Sequence, residues 1–119
     1  MAPAVSVLRA GPEIAMSPST VPLKVLLHVP EETALPRARA NARNLLAAAP
    51  GTEVEIVVNA GAVAAALAQP DPGTDALLRL CANSLRGAGL SAPADLVVVP
   101  AAVLHLAQRQ SEGWSYIRA

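Results

Sequence analysis

From Leu23 onward the chain alternates between two hydrophobic rhythms. LKVLLHV, Leu23 to Val29, is a near-continuous apolar run of strand length, of the kind buried on both faces of a parallel sheet. After PEET the period lengthens. Ala38, Ala42, Leu45, Leu46 and Ala49 recur at helical spacing, with Pro36 tolerable only in a first turn and Pro50-Gly51 as a stop. EVEIVVNA, Glu53 to Ala60, returns to the strand pattern, and the alanine-rich Gly61 to Ala68 predicts a short helix that ends before QPDPG. DLVVVP, Asp95 to Pro100, predicts another short buried strand, AAVLHLAQRQSEG an amphipathic helix with Val103, Leu106 and Ala107 on one face, and WSYIRA a closing strand. Strands that keep alternating with helices argue for an α/β layer sandwich, a parallel sheet flanked by helices.

One segment fits both rhythms. In LLRLCANSLRGAGL, Leu77, Cys81 and Leu85 stand four apart as on a buried helix face, while Ala76, Leu78 and Leu80 alternate as in a strand. Read as a helix, the segment makes Cys81 a small buried hydrophobe. Read as a third strand, Ala76 to Leu80, with a helix from Asn83, it sets the thiol at a strand end beside a helix N-terminus, whose dipole favours the nucleophilic thiolate.

Residues 1–22 carry Pro3, Pro12, Pro18 and Pro22 and the patch MSPSTVP with no sustained period, which predicts a flexible tail, with Met16 as an alternative start. The remaining 23–119 is the length of a single domain. With no Phe, one Trp and one Tyr, its core must be built from Ala, Val and Leu. A mean hydropathy of +0.41 beside only 15% charged residues predicts apolar surface that a partner covers, and self-association is the simplest form of it.

The rest of the composition works by exclusion. No apolar run reaches the roughly 18 residues that cross a bilayer, because Asn59 interrupts Ile56 to Ala68 and Asp95, Pro100 and His105 interrupt Ala94 to Ala107. The N-terminus carries no export signal, so a cytoplasmic location is expected. A single cysteine forms no internal disulfide and stays a thiol in a reducing compartment. Nine basic and nine acidic residues cancel, leaving no general pull toward nucleic acid or anionic membrane. In RARANAR, Arg39 and Arg43 share a helix face and are expected to be solvated.

Parallel sheets bind ligands at the carboxyl ends of their strands, which directs attention to His28, Asn59, Cys81 and Pro100. His28, His105 and Cys81 have none of the short spacings of metal ligands, so neither a metal nor a cofactor is expected, and His105 reads as a half-buried helix residue. No G-x-S-x-G is present, and the lone Gly61 of NAGAV makes no phosphate loop. His28, polar at the end of an apolar strand, is either a hydrogen-bonded structural histidine or a site residue.

LHVPE, NARNLL, VEIVVNAGAV, LCANSLRGAGL and LAQRQSEGWSYIR, in that order over Lys24 to Arg118, resemble the small stand-alone DsrE-like proteins of the YchN-like fold. CANS and the closing Gln110 to Trp114 are the most distinctive pieces. The resemblance implies a three-layer α/β/α sandwich with a five-stranded parallel sheet, assembled as a homotrimer or hexamer, and favours the strand reading of Ala76 to Leu80. It implies that Cys81 matches the cysteine that carries a persulfide in sulfur-relay members, exchanging sulfur with donor and acceptor proteins, and that His28 and Asn83 line the neighbouring crevice. The chain departs from the pattern at QPDPGTD, shorter than in relatives, which predicts a more open pocket over Cys81, and at Ala60, where a glycine is common. Two functions follow: a sulfur carrier acting through Cys81, or a non-catalytic oligomeric module that binds a small ligand or partner with Cys81 as pocket wall.

Overall fold

The computed structural model describes residues 22–119; the tail expected over 1–22 lies, apart from Pro22, outside the described residues. Strand β1, Lys24–Val29, leads through a 3-10 turn into helix α1, Leu35–Ala48, whose first turn holds Pro36. Then come β2, Glu53–Val58; α2, Ala62–Ala68; β3, Leu78–Cys81; α3, Ala82–Ala88; β4, Val97–Val99; α4, Ala102–Ser111; and β5, Ser115–Arg118. The ambiguous segment is therefore a strand that ends on Cys81. It begins at Leu78 and not Ala76, because Asp75–Leu77 closes a 3-10 turn first.

The five strands are all parallel, in the order β4-β3-β2-β1-β5. Parallel crossovers are right-handed. From β1 to β4 the chain steps one way across the sheet, so α1, α2 and α3 fall on one face; it then steps back to the far edge for β5, and α4 falls on the other. The buried residues divide accordingly. Val25, Leu27 and Val29 of β1, Val54, Ile56 and Val58 of β2, and Leu78 and Leu80 of β3 pack with α1, α2 and α3 in a wide core. Their alternates Leu26, Val57 and Cys81 pack with Ala102, Leu106 and Trp114 in a narrow one. This is the α/β layered architecture expected from the rhythm of the chain.

Three expectations about burial need correction. β4, expected as a buried strand, exposes Val97 and Val98 because it is an edge of the sheet. On α4, Ala102 and Leu106 are buried, but Val103 is 76% exposed and Ala107 is exposed as well. The helix is rotated because His105 and Arg109, on its inner side, reach a carboxylate in the sheet. Nor is Arg39 solvated, although Arg43 is exposed as expected. Arg39 is 6% exposed and donates to Thr74 Oγ1 at 2.6 Å, Asp75 Oδ1 at 2.8 Å and the Gln69 carbonyl at 2.9 Å, while Arg43 pairs with Asp71. Together they clamp QPDPGTD to α1, and Arg43 holds the Asp71 carboxyl below the usual carboxylate range. Among the described residues no helix is long and apolar enough to cross a membrane.

Candidate functional site

Adjacent strands β3 and β4 end at one level, with Cys81 opposite Val99. Their following helices part: α3 goes to the wide-core face and α4 to the narrow-core face. Parallel sheets bind ligands at such switch points, and Cys81 stands at this one.

Cys81 is the N-cap of α3, in extended backbone conformation, which brings its side chain beside the first free N–H groups of the helix. The N–H of Ala102, the first residue of α4, points at Sγ from the other side, 3.4 Å away. Burial pushes the thiol pKa up. The Ser84 hydroxyl and the backbone N–H groups of Ser84, Ala102 and Asn83 outweigh that and hold it below the ordinary cysteine value. The Ser84 oxygen accepts the Ala60 N–H at 2.8 Å, which leaves its hydroxyl proton available for donation. Ala60 presents that N–H from a left-handed conformation, φ 52°, the geometry that makes glycine the natural occupant there.

The thiol is closed over, at 5% exposure, contrary to the open pocket expected from the short QPDPGTD, which packs on the opposite face against α1. The other candidates divide. His28 and Asn59 are brought together, with His28 Nε2 donating to Asn59 Oδ1 at 3.0 Å and Nδ1 accepting the Tyr116 hydroxyl at 2.6 Å. Both ring nitrogens are thus occupied, as in the structural reading of this histidine. His28 does not reach Cys81: β2 lies between their strands, a separation of roughly 10 Å across the sheet. Asn83 serves through its backbone N–H and not its side-chain amide, whose oxygen takes the Arg86 guanidinium. Pro100 marks the turn from β4 into α4.

Residue-level reading missed Ser84, Tyr116 and, most consequentially, Glu55. Glu55 is 4% exposed on the face of the sheet that α4 covers. It accepts from His105 Nε2 at 2.6 Å and from Arg109 Nη2 at 2.9 Å and Nε at 3.2 Å, with Arg79 Nε of β3 at 3.4 Å. Arg109 also pairs with Glu112 at 2.9 Å and lies over the Trp114 ring, 4.9 Å from its centroid. Burial would raise the Glu55 pKa, but these hydrogen bonds and charges prevail and hold it low. A signal was present: in EVEIVV a carboxylate sits in a strand otherwise buried on both faces, which demands a cationic partner, and His105 and Arg109 stand one helical turn apart.

No group of three His, Cys, Asp or Glu side chains among the described residues is arranged to hold a metal ion. A surface cleft bounded by Pro36, Arg39, Arg43, Gln69, Pro70 and Asp71 has its guanidinium groups already engaged by carboxylates.

No protein-family model matches the chain, and no curated protein matches it. Among solved structures the chain is similar to a protein of unknown function from Methanobacterium thermoautotrophicum, with 26% sequence identity and a TM-score of 0.62 over 82% of this chain and 99% of the other.

Proposed function

We propose that this protein is a DsrE-like sulfur carrier that holds sulfane sulfur as a persulfide on Cys81. The observation that carries the reading is the polar setting of one sulfur atom: the Ala102 N–H of α4 donates to Sγ at 3.4 Å, and Cys81 stands at the N-terminus of α3, whose Asn83 and Ser84 groups help hold the thiol pKa low. A structural cysteine in an apolar core needs none of them. Donors of this kind stabilise a thiolate, and they stabilise the terminal anion of a persulfide for the same reason.

In the forward step the Cys81 thiolate attacks the outer sulfur of a donor persulfide. A new sulfur–sulfur bond forms at Sγ as the donor's own bond breaks, and the donor leaves as a thiolate with the bonding electron pair. An acceptor thiolate attacking the outer sulfur of the Cys81 persulfide reverses the roles. The step needs no redox partner and no cofactor, and a reducing cytoplasm keeps the lone thiol available. Self-association belongs to the same reading, supported by Val97 and Val98 on the edge strand and by Val103 and Leu104 on the outer side of α4, all exposed; the homotrimer follows from the DsrE-like resemblance alone.

The burial of Cys81 favours the second reading, a non-catalytic binding module in which the thiol is an inward-facing wall. Incubation with a low-molecular-weight persulfide, followed by intact mass measurement, separates the two. The carrier gains the mass of one sulfur atom, loses it to added thiol, and fails to gain it as Cys81→Ser. A folded wild type that takes up no sulfur establishes the binding module instead.

A further inference from the structure

Helix α4 packs on the narrow-core face that carries Cys81, and its apolar footing is slight. Only Ala102 and Leu106 of its side chains are buried, while Val103 and Leu104 point outward. Its attachment is otherwise polar and converges on one group, the buried Glu55 carboxylate, which takes His105 and Arg109 from α4. Because α4 runs back across the sheet from its start beside Cys81, those two residues fasten its middle and far end. Its first N–H is one of the donors to Sγ. The chain leaves the helix through Gly113, in the left-handed region at φ 93°.

We infer that Glu55 is a positioning residue that latches α4 over Cys81, so that the carboxylate sets both the access of reagents to the thiol and the placement of the Ala102 donor. The inference deepens the reading of Cys81 as the reactive group, and rests on it. The latch works through geometry. Glu55 is bound on its sheet side by Arg79 of β3 and on its helix side by His105 and Arg109, so the carboxylate joins the two layers, whereas Glu112, which shares Arg109, follows α4 directly in the chain and ties it to no strand. Neutralising it frees the helix without disturbing the wide core, which lies on the other face.

The test pairs the alkylation rate of Cys81 by iodoacetamide with hydrogen exchange in the full chain, comparing wild type, Glu55→Gln and, as a control on the opposite face, Arg39→Gln. The expected result for Glu55→Gln is alkylation roughly tenfold faster, with exchange accelerated over residues 102–111 and unchanged in β1, β2 and β3. For Arg39→Gln, alkylation rises only as far as global unfolding does. If Glu55→Gln does not fold, Arg109→Lys and His105→Gln replace it, each removing one bond to the latch, and each is expected to raise the rate by a smaller factor. An unchanged alkylation rate in folded variants, or exchange that rises equally throughout the sheet, overturns the inference. Since no sulfur donor is used, a working latch in a protein that accepts no persulfide would count against the carrier alone.

Discussion

The two faces of the sheet are built on opposite principles. On one, three helices and the inward side chains of β1, β2 and β3 make an aliphatic core, and its charged groups are held at the rim, where Arg39 and Arg43 tie down the loop at Asp71 and Asp75. On the other, one helix rests on a handful of apolar side chains and on a carboxylate placed within the sheet itself. Burying apolar area is non-directional and stabilises the whole domain, whereas a buried ion cluster contributes little net stability but defines position. The first face accounts for the stability of the fold. The second carries the Cys81 thiol and the Ala102 N–H that reaches it.

Substitutions in the two cores should therefore differ in kind as well as size. Ile56→Ala, in the wide core, is expected to lose about 4 kcal/mol by chemical denaturation, with protection lost at every amide. Leu106→Ala, in the narrow core, should lose about 2 kcal/mol, concentrated in α4. Equal and equally global losses would erase the distinction. Arg39→Ala removes a buried guanidinium from Thr74, Asp75 and the Gln69 carbonyl, and should cost roughly 2 kcal/mol without changing the reactivity of Cys81.

Acid provides a third comparison. The folded-state pKa values of Glu55 and Asp71 are both lowered by their cationic partners, so each contributes stability that is present above its unfolded-state pKa and lost as pH falls through the folded-state value. Denaturation midpoints measured from neutral pH downward should fall through that acid range for the wild type. Glu55→Gln should flatten the part of the curve that tracks α4, and Asp71→Asn the part that tracks the α1 loop. The smallest effect is expected at Ala60. A glycine adopts its left-handed φ without strain, and Ala60→Gly should raise stability by about 0.5 to 1 kcal/mol, partly offset by the greater freedom of the unfolded chain.

How much of this was legible in the sequence follows from the same division. The wide core is written in residue type. LKVLLHV, the helical alanines of α1 and the switch back at EVEIVV carry their periods openly, because burial between layers depends on which positions are apolar and on little else. The narrow side is written in relationships between distant residues. Glu55 gains its meaning from His105 and Arg109, far away in the chain; those two turn α4 about its axis and leave exposed the Val103 that its apolar pattern assigned to the interior. Cys81 stood out through CANS and its place at a strand end, whereas the donation from Ala102 depends on how α4 crosses the sheet, and no local pattern encodes that. Arg39 looked like one surface cation of three in RARANAR because its partners Thr74 and Asp75 come from beyond the next strand and helix.

The central claim is that the fork between α3 and α4 is built to hold a sulfur anion. It is tested most directly by titrating the Cys81 thiolate through its ultraviolet absorbance in the folded protein, with Cys81→Ser as the blank and Ser84→Ala as the perturbation. The account predicts a wild-type pKa below the ordinary cysteine range, rising toward that range when the Ser84 hydroxyl is removed. A thiol that titrates at or above the ordinary cysteine value, and does not respond to the loss of Ser84, would contradict it.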